Sequence, residues 1–173
     1  YPVVLRDILL GFAQFDLYRP IWSDHIFDEL ERVIREKNPD WSDKKVLSKL
    51  EIIDEAFPSA RVEKYESLIE GLELKDPKDR HVLAAAIKVN ANVIVTQKIK
   101  DFPDEYVEQF GLHVLTPDDF ICDIIDLDHE RSVEAFKQMV LHKRNPDLDE
   151  FEVLDMLRKN GLTKSADFLH SQI

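Results

Sequence analysis

The chain has 173 residues and a mass of 20.2 kDa, and 44% of its residues are apolar, enough to bury one sizeable core with an appended helical piece. Its formal net charge of −12 argues against broad, unselective binding to a phosphate backbone, which needs a basic face. Cys122 is the only cysteine, which excludes an intramolecular disulfide and suits a reducing cytoplasm, and no apolar run approaches the roughly 20 residues of a bilayer span.

In chain order, Leu5 to Leu17 places Leu5, Ile8, Leu9, Phe12 and Ala13 on one helical stripe. Ser23 is placed to cap a second helix from about Asp24 to Lys37, and Ser42 a third, through Val46, Leu47, Leu50, Ile53 and Ala56 to a stop at Pro58. Arg61 to Tyr65 reads as a short strand. Asp76 before Pro77 is a helix start, a capping side chain followed by a ring whose fixed φ suits the first turn. The run from Val82 to Ile87 continues that helix, Asn90 and Asn92 break it, and Val93-Ile94-Val95 is a β-branched strand suited to burial on both faces of a parallel sheet. A short helix from Pro103 to Phe110 ends at Gly111. A strand follows at His113 to Leu115, then a helix start at Thr116-Pro117-Asp118. Beyond Asp128 the pattern is purely helical, with a break at Asn145-Pro146 and a helix end at Gly161.

Alternation of helices with short apolar strands indicates an α/β protein, a three-layer α/β/α arrangement with a mainly parallel central sheet and a C-terminal helical extension. Residues 1–127 are expected to form the α/β domain and 128–173 the extension. The extension is amphipathic, and packing on the domain, receiving a partner or helping to place a substrate all remain open to it. In open α/β sheets the carboxyl ends of strands and the amino ends of helices share one edge, where ligands bind. Asp79, in the first turn of its helix, and Asp101, just past the strand, are therefore able to converge.

The segment DPKDRHVLAAAIKVNANVIVTQKIKDFP, residues 76–103, resembles PIN-domain proteins, the fold of VapC-type toxins of toxin–antitoxin modules. Tyr1-Pro2 with Leu5-Arg6-Asp7 looks like the end of that family's opening motif, and Trp22-Ser23-Asp24 to Asp28-Glu29-Leu30 like its second acidic motif. The likeness covers residues 1 to about 120. It implies a ribonuclease in which Glu29, Asp79 and Asp101 hold Mg2+ or Mn2+, with Thr96 orienting a carboxylate or water and Asp104 at the same edge. Arg6, Lys78, Arg80, Lys98 and Lys100 are candidate RNA contacts. A cognate antitoxin and a homodimer are the partners the resemblance implies, and no membrane is involved. The alternative is a catalytically impaired PIN scaffold acting through antitoxin or RNA binding; a nuclease directed at DNA is a lesser third reading.

On residue pattern alone the same positions have plainer roles. Asp76 and Asp79 suit a helix amino terminus through its dipole, Asp101 a loop turn, Glu29 a solvated helix face, and His81 a hydrogen-bonded core position. The histidines show no zinc spacing. The sequence departs from the family pattern twice. The family's first acid lies on an opening strand ahead of the Tyr-Pro segment, and the expectation is that this strand and its Asp belong to the natural protein ahead of Tyr1, the alternative being a shortened chain with an incomplete site. Lys98 stands where Asn is expected after Thr96-Gln97, and an ammonium there either competes with a metal or grips a phosphate.

Overall fold

The computed structural model describes residues 3–143 and 147–173; the expected opening at Tyr1-Pro2 and the break at Asn145-Pro146 lie outside the described residues. Helix α1 spans Val3–Gln14 and buries Leu5, Ile8, Phe12 and Ala13 of the stripe read from the sequence together with Val4, while Leu9 is half-buried. It stops short of Leu17 because Asp16 turns into the left-handed region at φ 54°, where Asp is among the tolerated residues. After strand β1 (Trp22–Ser23), α2 (Asp24–Lys37) and α3 (Asp43–Ala56) begin where expected. The Ser23 and Ser42 hydroxyls accept from the Ile26 and Lys45 N–H groups, satisfying donors that a helix start leaves unpaired.

Strand β2 is only Arg61–Val62, shorter than the expected Arg61 to Tyr65, because Lys64 adopts φ 58° and ends the extended backbone. β1 and β2 pair in parallel, Trp22 opposite Arg61 and Ser23 opposite Val62. Arg61 fixes this pair among its helices, donating to Asp24 Oδ1 at 2.6 Å and Asp54 Oδ1 at 3.0 Å while its guanidinium lies over the Phe27 ring. Helix α4 (Glu66–Ile69) follows, then a 3-10 turn at Pro77–Asp79 that leads into α5 (Arg80–Lys88). Strand β3 (Val93–Val95) pairs with β4 (His113–Leu115). The His113 N–H donates to Asn92 and the Thr96 N–H to Leu115, so both strands advance together and the pair is parallel. Between them lie a 3-10 turn at Ile99–Asp101, α6 (Asp104–Val107) and a 3-10 turn at Glu108–Phe110, closed by Gly111 at φ 72°. The chain ends with α7 (Pro117–Leu127), α8 (His129–Leu141), α9 (Glu150–Lys159) and α10 (Thr163–His170).

The fold is α/β and mostly helical. In place of one central sheet, the described strands form two short parallel pairs, β1 with β2 and β3 with β4. Strands of two or three residues offer too few ladder bonds to extend a sheet by themselves, so the helices set the architecture.

Packing groups the described chain into two compact units. The first combines α1 and its flanks, residues 95–97 and everything from Leu115 to Ile173. In it α1 packs on α8 and α9, and α10 on α7 and α9, burying Leu5, Ile8, Phe12, Ile121, Ile125, Phe136, Leu154, Leu157 and Leu162. The amphipathic C-terminal helices thus spend their apolar faces on α1 and α7. The second unit, Pro20–Ile94 with Lys98–Val114, has its own core around Val62, Tyr65, Leu83, Ala84, Ala85, Ile94, Phe102, Val107 and Leu112. Among the described residues no helix is long and apolar enough to cross a membrane.

Candidate functional site

In the second unit the site is built at the start of α5. The Asp76 carboxylate accepts from the Lys78 N–H at 2.9 Å, Pro77 opens the turn, and Asp79 closes it with helical φ and ψ. Asp79 is thereby held at the helix mouth with only 16% of its side chain exposed. Its Oδ2 is buried with no hydrogen-bond partner, and its Oδ1 lies 3.9 Å from Lys98 Nζ. Burial pushes the Asp79 carboxyl above its ordinary pKa. Lys98 opposes that, Asp76 and Asp101 add to it, and His81 opposes it.

Lys98 and Asp101 come from the turn after β3. Buried Phe102 and half-buried Ile99 pin that turn into the core, and the Asp101 N–H donates to the Lys98 carbonyl at 2.9 Å. The sequence expectation that a helix start and a post-strand loop meet is realised to this extent: Lys98 and Asp101 both act electrostatically on Asp79.

Glu29 stands in a different company. His25 and Glu29 occupy positions four apart on α2, one turn of the same face. His81 Nε2 lies 3.6 Å from Glu29 Oε1, the His25 and His81 rings are 5.1 Å apart, and His25 Nδ1 meets the Tyr65 hydroxyl at 2.5 Å. Tyr65 is fully buried and anchors this chain of contacts to the core. Burial lowers the His81 pKa, Glu29 opposes that and His25 reinforces it, so His81 is neutral at pH 7 and its Nδ1 is buried without a partner. The plainer sequence reading had His81 as a hydrogen-bonded core residue; its side chain is 12% exposed and its Nε2 faces Glu29. His25 and Tyr65 were not singled out. Their one sequence signal is the His25–Glu29 spacing, since Tyr65 and His81 lie far along the chain.

The other candidates are distributed over both units. Arg6, on α1, pairs with neighbouring Asp7 at 3.2 Å. Arg80 has its Nε buried without a partner, Lys100 and Asp104 are exposed, and the Thr96 N–H donates to the Leu115 carbonyl at 3.0 Å.

Among the described residues, no three His, Cys, Asp or Glu side chains stand together in positions that could hold a metal ion. Asp79 and Asp101 nevertheless offer the chemistry a hard divalent cation takes. Mg2+ is held by one or two carboxylates and completes its shell with water and phosphate oxygens. A carboxylate with a buried, unpaired oxygen, its charge disfavoured by burial, gains from such a cation.

Residues 6–100 match the family model described as PIN domain. The chain belongs to the PIN-domain family. The PIN segment contains Glu29, Asp79, Thr96 and Lys98 and ends one residue before Asp101. Residues 117–171 match a second model, the VapC50 C-terminal domain, and so cover α7 to α10. A protein of Mycobacterium tuberculosis named "Putative ribonuclease VapC50" is 41% identical over 80 residues, 46% of this PIN-domain chain and 47% of that protein. The match thus spans about half the length of that relative. No solved structure matches the chain.

Proposed function

We propose that this protein is a metal-dependent endoribonuclease, the toxin of a toxin–antitoxin pair, with Glu29, Asp79 and Asp101 as its acidic set. The observation on which this rests is the Asp79 carboxylate, buried at the helix mouth with an unpaired oxygen and within electrostatic reach of Asp101. Membership of the PIN family and the likeness to a protein named as a ribonuclease support the same reading.

In this mechanism Asp79 and Asp101 offer oxygen donors to Mg2+ or Mn2+. When bound, such an ion supplies Lewis-acid polarisation of the phosphate and a water made acidic enough to attack at neutral pH. Glu29 presents a third carboxylate whose direction is set by neutral His81 at 3.6 Å. The Thr96 hydroxyl orients a carboxylate or water, and Asp104 lines the same edge. With a net charge of −12, RNA is gripped by few cations, Lys98, Lys100, Arg80 and Arg6 being the candidates, and a basic antitoxin segment suits the acidic surface. The protein acts as a homodimer in the cytoplasm.

One observation favours a second reading, a PIN scaffold that binds RNA or antitoxin without cutting. No group of three potential metal-ligating side chains is assembled among the described residues, and an ammonium stands beside Asp79. Incubating a panel of structured RNAs with the protein and with Asp79→Asn, in Mn2+ and in EDTA, separates the two. The nuclease cuts in Mn2+ only, and Asp79→Asn reduces the rate at least about 100-fold, the scale of losing a group that acts in the transition state. RNA retained without metal-dependent cleavage by the folded protein would select the scaffold.

A further inference from the structure

We propose that Lys98 is a built-in counter-ion of the acid pair, so that a divalent cation binds Asp79 only by displacing the Lys98 ammonium. The inference rests on the reading of Asp79 and Asp101 as cation ligands and concerns how that site is regulated.

Three observations point to it. The Lys98 ammonium is a positive charge that stands against Asp79, 3.9 Å from Oδ1, while the other oxygen of the same carboxylate is buried and unpaired. The position of Lys98 is fixed by the backbone, since the Lys98 carbonyl accepts from the Asp101 N–H and the following turn is pinned by Phe102. The tip, in contrast, is open to solvent, with 64% of the Lys98 side chain exposed, and its separation from Asp79 exceeds hydrogen-bond length. An ion pair of that kind holds weakly and is readily exchanged for a stronger partner.

The charge arithmetic then decides the direction. A divalent ion on Asp79 would sit within a few ångströms of the ammonium, and like charges so placed repel. In the high dielectric of a surface site, a unit charge about 6 Å from a divalent ion lowers its affinity roughly tenfold. Lys98 therefore neutralises Asp79 when the cation is absent and weakens the cation's hold when it is present. The acid pair is set to load only at high divalent concentration, or when an anionic ligand draws the ammonium away.

The test is Mn2+ binding to the full chain without RNA, followed by calorimetry and by the electron paramagnetic resonance of free Mn2+. The variants are Lys98→Met, which keeps the stem and removes the charge, Lys98→Arg, which keeps the charge, and Asp79→Asn. Tighter Mn2+ binding by Lys98→Met, by about tenfold, with Lys98→Arg close to the parent, is the expected result. Equal or weaker binding by Lys98→Met, while Asp79→Asn abolishes binding, would overturn the counter-ion role and leave the site reading intact. Unchanged Mn2+ binding in Asp79→Asn would instead overturn the site reading itself.

Discussion

A carboxylate that is mostly buried, with one oxygen unpaired, lowers the stability of the fold that contains it, and Asp79 is such a group. Its folded pKa is raised above the ordinary 3.8, chiefly by burial, so the fold favours the protonated form. The sign follows from linkage. The contribution of Asp79 is most favourable below 3.8, where the group is protonated in both states, and is lost as pH rises through the raised folded value. At pH 7 and in EDTA, Asp79→Asn is therefore expected to stabilise the protein, by about 1 kcal/mol, because the amide occupies the same buried position without the charge that burial disfavours. The gain should vanish near pH 3.5. Urea midpoints for the two proteins at both pH values measure it, and a midpoint unchanged or lowered at pH 7 would contradict it. Stability gained on removing a group that chemistry needs is what a functional site leads one to expect. The sequence could place Asp79 at a helix start, since Asp76-Pro77 is a local signal. It could not reveal the cost, which depends on what Lys98, Asp101 and His81 do in space.

At the scale of the element, the helices whose caps are local were readable from the sequence. Ser23, Ser42, Asp76 and Thr116 each accept from an N–H two or three residues on, as their spacing predicts. Helix α10 differs. Its N-cap residue Leu162 has no acceptor side chain, and the work is done by Asp118 of α7, which accepts from the Lys164 N–H at 3.0 Å and the Ser165 N–H at 2.9 Å. The Ser165 hydroxyl, fully buried, also donates to the Asp118 carboxylate. No spacing rule links a helix start to an acid more than forty residues earlier, and in the sequence Asp118 reads simply as a first-turn acid of α7. Asp118→Ala should cost about 1–2 kcal/mol, the value of a cap together with a buried hydroxyl left without its partner. Hydrogen exchange should then show residues 163–170 opening more readily than in the parent protein, whereas the β3 and β4 amides keep their protection. Equal protection at α10 would show that Asp118 is dispensable there.

On the scale of the whole molecule, chain order and packing diverge, and this was the least legible part of the sequence. The expected division at 127/128 follows the change from an alternating to a purely helical pattern. The first compact unit, however, is assembled from α1 together with α7 to α10, so the beginning and end of the chain share one core. Amphipathic stripes announce that a helix has an apolar face to bury; they do not say against which partner, and the stripe of α1 is as compatible with a sheet as with α8. A consequence is that the C-terminal helices cannot be detached. Ending the chain at Leu127 would expose the α1 surface that α8 and α9 cover, formed by Leu5, Ile8 and Phe12, all essentially inaccessible in the full chain. Each fully buried side chain of this kind is worth about 1.5–3 kcal/mol, and several together rival the total stability of a domain. A protein of residues 1–127 should accordingly bind a hydrophobic dye and lose its cooperative urea transition, and its α1 amides should exchange at unprotected rates. Restoring 128–173 as a separate polypeptide should recover protection in α1. A truncated protein that unfolds cooperatively with α1 protected would show instead that the C-terminal helices are an accessory and that α1 finds its core without them.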